Sequence, residues 1–132
     1  MQNRAIEIHD SVLDGLSIEN GLAVLSFSTV YIHSSDGRPG RDPGSGWTQP
    51  AKLRISNASV NGSFSDLPRD LDDGYIRTDE AMFDNMIPIP LNHKGRVELR
   101  LESAGDVVVI GGTQATLELL GEPAYVEEFR PS

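Results

Sequence analysis

Arg96-Val97-Glu98-Leu99-Arg100-Leu101-Glu102 decides the fold class, because it alternates charged and apolar residues without a break. Val97, Leu99 and Leu101 share one side of an extended chain, and the four charged residues share the other. This is a strand with one face in a core and one in water. Ser103-Ala104-Gly105-Asp106 follows as a turn, and Val107-Val108-Val109-Ile110 is apolar on both faces. The pair reads as a hairpin whose second strand is the more central. Gly111-Gly112 is expected to break that strand. Alternation resumes from Thr113 to Leu120 with Ala115, Leu117 and Leu119 on one face, which predicts a three-stranded antiparallel meander.

Working outward, the rest of the chain reads in the same way. Ala5 to His9 is expected to be a short strand, with Ile6 and Ile8 inward and Glu7 and His9 outward. Leu22 to Ser34 changes phase between Leu25/Phe27 and Val30/Ile32, which predicts a bulge near Ser28-Thr29. Leu53, Ile55, Ala58 and Val60 form a strand with a slip at Asn57. Met86 to Leu91 carries Pro88 and Pro90 and is expected at a sheet edge. Tyr125 to Phe129 adds a last short strand, and Asp79 to Asn85 is expected to make at most one helical turn. The expectation is an all-β, antiparallel β-sandwich or squat barrel of jelly-roll type. It has about eight strands, forming a single domain over residues 1–132.

Composition narrows the function classes. The 132 residues carry 20 acidic and 11 basic side chains, a net charge of −9. That sign disfavours nucleic acid and anionic membrane surfaces and suits a basic protein partner. With no cysteine, disulfide frameworks, thiolate metal sites and cysteine nucleophiles are excluded. Met1-Gln2-Asn3-Arg4 runs straight into Ala5-Ile6-Glu7-Ile8 without a signal-peptide apolar stretch, so a soluble cytoplasmic protein is expected.

Three stretches are candidates for function. Residues 34–50 contain seven Gly or Pro among 17 and read as one long loop, a length that compact domains keep for function or leave disordered. It holds Trp47, the only tryptophan, with Arg38, Arg41, Asp36 and Asp42. An indole beside guanidinium and carboxylate groups suits stacking on a ligand or anchoring a partner. The alternative is an indole folded back as a lid on the core. Residues 66–84 carry seven acids against Arg69 and Arg77, but Asp70 to Gly74 lacks the alternate acids of a calcium loop. His9, His33 and His93 lack the spacing of a barrel metal site, so no metal or cofactor is expected. Only His33, on the parity of Tyr31, is placed to line a pocket. No nucleophile elbow, phosphate loop or zinc-protease helix motif is present.

Ile8-His9-Asp10-Ser11-Val12-Leu13 resembles the His-Asp-Ser-x-Leu opening of several small bacterial β-rich domains, some of them proposed immunity proteins of toxin systems. The resemblance implies a bacterial β-domain and assigns no residue a role. A structural account of the same residues ends the first strand there, with Asp10 and Ser11 bonding the turn backbone. The leading expectation is a non-enzymatic binding or interaction module that uses the Asp36–Trp47 stretch. The alternatives are a small enzyme or lectin-like domain with a pocket near Tyr31, His33 and Trp47, and a structural homo-oligomer.

Overall fold

A computed structural model describes residues 2–130 and contains eleven strands. They are β1 (Asn3–Glu19), β2 (Leu22–Ser35), β3 (Gly44–Ser56), β4 (Ser59–Gly62), β5 (Arg69–Asp70), β6 (Asp73–Thr78), β7 (Met82–Asp84), β8 (Met86–Ile89), β9 (Asn92–Ser103), β10 (Asp106–Leu119) and β11 (Ala124–Phe129). All ladders are antiparallel and belong to one sheet, in the order β5-β1-β2-β3-β10-β9-β6-β7. Beyond that path, β8 pairs β1, β4 pairs β10 and β11 pairs β3. The all-β antiparallel expectation is met, with more strands than the eight or so anticipated.

The sheet curls until its ends meet. Asn85, between β7 and β8, donates its N–H to the Gly74 carbonyl on β6 at 2.8 Å and accepts the Ile8 N–H of β1 at 3.0 Å. Its side-chain oxygen also accepts the His9 N–H at 2.8 Å. Asn85 has φ 58°, a left-handed conformation that asparagine tolerates better than most residues. The Leu71 N–H to Ser11 carbonyl bond and the Asp72 N–H to Glu102 carbonyl bond add a second cross-link. Inside lies one core that includes Ile6, Ile8, Leu25, Leu53, Leu99 and Ile110, all at most 1% exposed.

The β9–β10 hairpin is as expected, with Ala104 and Gly105 both at positive φ in a two-residue turn. Gly111-Gly112 does not break the strand. β10 continues to Leu119 through a register shift between Gly112 and Gln114, and it pairs β4 before that point and β3 after it. A Cβ on Gly112 would press on the side chain of Ile55, so this glycine permits close packing of β10 on β3. The predicted meander is therefore one hairpin with a bent second strand.

Asp10 and Ser11 likewise do not end the first strand. They form a bulge inside β1, with Asp10 at φ 77°. The buried Ser11 hydroxyl donates to the Glu7 carbonyl at 2.6 Å and accepts the Tyr31 N–H at 3.2 Å. The side-chain bonding read from the sequence is present, but it stabilises a bulge because β2 continues alongside.

The bulge at Ser28-Thr29 is found, and Leu25, Phe27, Val30 and Ile32 all face the core. Asn57, at φ 52°, makes the corner between β3 and β4. β8 pairs only β1, as its prolines predict, and β11 occupies the expected tail. The helical turn at Asp79–Asn85 is replaced by β7. The Thr78 hydroxyl accepts the Glu80 and Ala81 N–H groups, and the Thr78 N–H donates to the Ala81 carbonyl, closing a tight turn between β6 and β7.

Residues 34–50 are not one loop. Ser34 and Ser35 end β2, and Gly44 onward belongs to β3, which leaves Asp36–Pro43 as the connection. Gly46 is a strand residue because a Cβ there would collide with the Tyr31 hydroxyl, and one on Gly44 would collide with the Ser34 carbonyl. The glycines that suggest a loop in the sequence serve close contacts within the sheet.

Candidate functional site

Side chains directly opposite each other on paired strands share a face. Tyr31 pairs Glu7 and Thr48, and His33 pairs Ala5 and Gly46, whereas Trp47 pairs Ile32 and Tyr125. Tyr31 and His33 therefore lie on the outer face, and Trp47 lies with Ile32 on the inner face. The single pocket expected from these three residues does not form; the sheet separates them.

On the outer face, His33 is 4% exposed. Its ring meets Tyr31 and Phe129 edge-on, with centroids 4.9 and 4.6 Å apart. Its Nε2 lies 3.3 Å from Glu7 Oε2. A carboxylate only accepts, so Nε2 donates. The ring's Nδ1 is buried without a partner. The Tyr31 hydroxyl donates to Glu127 at 2.8 Å. Burial, then the Glu127 bond, then the charges of Glu127, Glu7 and Asp10 raise its pKa far above the usual phenol value.

The sign of the resulting pH effect follows. Below the unfolded phenol pKa of about 10 both states keep the proton; above it the unfolded chain releases the proton first, so stability falls. The denaturation midpoint is therefore expected to drop between pH 9 and pH 11 by less in Tyr31→Phe than in the wild type. An equal drop in both proteins would remove Tyr31 as a source.

The Asp36–Pro43 loop is held by its own hydrogen bonds. The Asp42 carboxylate accepts the Arg38 N–H at 2.6 Å, and the Arg38 carbonyl accepts the N–H groups of Arg41 and Asp42. The Ser35 hydroxyl donates to the Pro43 carbonyl, and Gln2 donates to Asp36 from across β1. The guanidiniums of Arg54, Arg69, Arg77, Arg100 and Arg130 each meet a carboxylate. Those of Arg4, Arg38, Arg41 and Arg96 do not, among the described residues. Arg38 and Arg41 stand at one wall of an outer cleft of about 700 Å³. Met82, Phe83 and Met86 form the opposite wall, and Glu7 and His33 lie between. Phe83 and the β7–β8 segment carry no local signal of this role; only the curl of the sheet brings them opposite the loop.

Trp47 lines a second cavity of about 530 Å³ at the mouth of the curled sheet. Its indole N–H donates to Ser45 at 2.8 Å, its ring meets Tyr125 edge-on at 5.3 Å, and its body packs against the core. Arg4 lines the same cavity. Its signal was legible: Arg4 has the parity of Ile6 and Ile8, a charge on the core side of a strand.

Among the acids of residues 66–84, Asp66, Asp72 and Asp79 are engaged in structure. Arg69 meets Asp66 and Asp106 at 2.9 Å each, Asp72 accepts the Ala104 N–H, and Asp79 lies 2.7 Å from His93. Glu7, His9 and Asp10 place one possible ligand atom each within 4.8 Å. His9 and Asp10 are exposed, and three open donors make an incomplete cage. Comparison of the chain with protein-family models, with curated proteins and with solved structures gave no match to any of them.

Proposed function

We propose that the protein is a non-enzymatic binding module that engages a protein partner through the outer cleft. The observation that carries this reading is the pair Arg38 and Arg41, held out by a hydrogen-bonded loop opposite Met82, which is 54% exposed. Arginine, methionine and aromatic residues are the types enriched where interfaces hold their energy. The net charge of −9 steers a basic partner toward the surface. At contact, Arg38 and Arg41 bind that partner's carboxylates, and Glu7 and Asp84 bind its cations. A bacterial setting belongs to this reading and rests on the His9–Leu13 resemblance. So does a jelly-roll-like barrel as the finer fold class, supported by the two cross-links between the sheet ends.

The test compares affinity capture by the wild type and by the Arg38→Ala/Arg41→Ala double variant, followed by affinity measurement with the purified captured protein. The expected result is a basic protein whose affinity falls about tenfold or more in the variant. Equal affinity for both forms would sink the assignment of the cleft.

A homo-oligomer is the second reading, favoured by β11. This strand pairs only β3 and leaves Tyr125 and Val126 55% and 47% exposed. Glu127 and Glu128 oppose it, because antiparallel self-pairing of β11 sets glutamates of two copies against each other. Light scattering at micromolar concentration separates the readings: a stable dimer would favour the second.

A further inference from the structure

The Trp47 cavity lies on the opposite face of the sheet from the Arg38/Arg41 cleft and is a different site. Its walls include Ile32, Trp47 and Pro123, with Gln2, Arg4, Ser34 and Ser45 around them. What distinguishes it is the state of its polar groups. The Trp47 N–H is engaged by Ser45, the Ser34 hydroxyl donates to the Gln2 side-chain amide oxygen at 2.8 Å, and the Gln2 side-chain N–H donates to Asp36. Each of these donors has an acceptor, and the Ser45 hydroxyl proton is left to donate. The guanidinium of Arg4 has no ionic partner: no carboxylate lies within ion-pair distance of it among the described residues. The cavity therefore offers an indole and aliphatic surface, one cation in need of an anion, and little spare hydrogen-bonding capacity.

We infer that this cavity binds a small aromatic carboxylate, with the ring against Trp47, Ile32 and Pro123 and the carboxylate on Arg4. The volume of about 530 Å³ is in the range of small-ligand pockets. Arginine matches a carboxylate with two parallel N–H donors, a geometry that a lone cation at a pocket rim leaves available. A sugar acid fits the charge, but the walls suit an aromatic ring better, because a pyranose needs several hydrogen-bond partners and Ile32, Pro123 and the Trp47 ring present apolar surface. The net charge of −9 opposes any anion at long range. Salt screens this repulsion along with the Arg4 contact, so the affinity is expected to depend on salt less than a single ion pair does.

The single tryptophan makes the test direct, since its indole N–H signal and fluorescence report only on this cavity. The full chain, labelled with nitrogen-15, is titrated with sodium benzoate, with benzyl alcohol and with sodium glucuronate at low ionic strength. Benzoate is expected to move the Trp47 indole signal saturably, and benzyl alcohol and glucuronate to bind at least about tenfold more weakly. Arg4→Gln is expected to raise the benzoate Kd about tenfold or more and to leave the melting temperature unchanged, because Arg4 is exposed at the start of β1. Arg4→Lys should recover part of the loss. Equal affinity for benzoate and benzyl alcohol, or an unchanged Kd in Arg4→Gln, would overturn the assignment of Arg4. Tighter binding of glucuronate than of benzoate would overturn the aromatic class.

Discussion

Trp47→Ala is expected to lower stability by about 2–4 kcal/mol, the range for truncating a large side chain that is packed against a core but not fully enclosed. In a chain of this size that corresponds to a fall in melting temperature of roughly 10 °C. The indole contacts the core beneath it and Tyr125 beside it, and its N–H is engaged by Ser45. Removing it opens the mouth of the sheet to water and leaves Ile32 without its cover. This is the lid role considered for Trp47 from the sequence. It sits alongside the ligand cavity, since one face of an indole can close a core while the other lines a pocket. Thermal melts of Trp47→Ala and Trp47→Phe decide the matter: the phenylalanine variant should recover more than half of the loss. A Trp47→Ala midpoint within a degree or two of the wild type would show that the indole does not cover the core.

Asn85→Ala is expected to cost about 2–3 kcal/mol. Roughly 1–2 kcal/mol of this comes from placing an alanine at φ 58°, and about 1 kcal/mol from losing the bond to the His9 N–H. Asn85→Gly isolates the second part, because glycine takes the left-handed conformation without strain and loses only the side-chain acceptor. It should cost about 1 kcal/mol. Denaturant midpoints of the two variants should therefore differ clearly, with alanine the less stable. If the two variants match, the backbone conformation at Asn85 carries none of the cost. Asn85→Ala is also expected to loosen the cleft, because the Asn85 side chain ties the segment bearing Met82 and Met86 to the His9 N–H of β1.

The parts of the fold legible in the sequence were those set by alternation over several residues. Val97, Leu99 and Leu101 gave β9, and the phase change at Ser28-Thr29 gave the bulge in β2, because burial of one face leaves a direct period-two mark. Glycine and short polar residues were read less well, since a local pattern does not state what packs against it. In the sequence Gly112, Gly44 and Gly46 look like breaks or loop residues, whereas each makes room for a neighbouring strand. Asp10-Ser11 has the chemistry of a turn and sits in a bulge, a choice made by the long pairing of β1 with β2. The short strands β5, β6 and β7 are the hardest to read. They owe their conformation to hydrogen bonds with distant strands and with each other.

The arrangement of the candidate residues was not legible in the sequence. Arg38, Arg41 and His33 line one cleft, Tyr31 packs against His33 beside it, and Asp36 and Asp42 hold its loop by accepting from Gln2 and from the Arg38 N–H. Trp47 belongs elsewhere, because the strand beginning at Gly44 turns its indole to the inner face. Shortening the loop by the seven residues 44–50 sufficed to split one expected pocket into two separate sites.

Joining of the sheet's two ends at Asn85 underlies both the enclosed core and the wall of the outer cleft, and amide hydrogen exchange tests it most directly. The Ile8 and Asn85 N–H groups make the bridging bonds. The account predicts that both exchange as slowly as the Leu99 amide in the centre of the sheet, through opening of the whole domain. Exchange of Ile8 and Asn85 at the rate of the exposed Asp36–Pro43 loop would show that the ends are not joined, and would contradict the account.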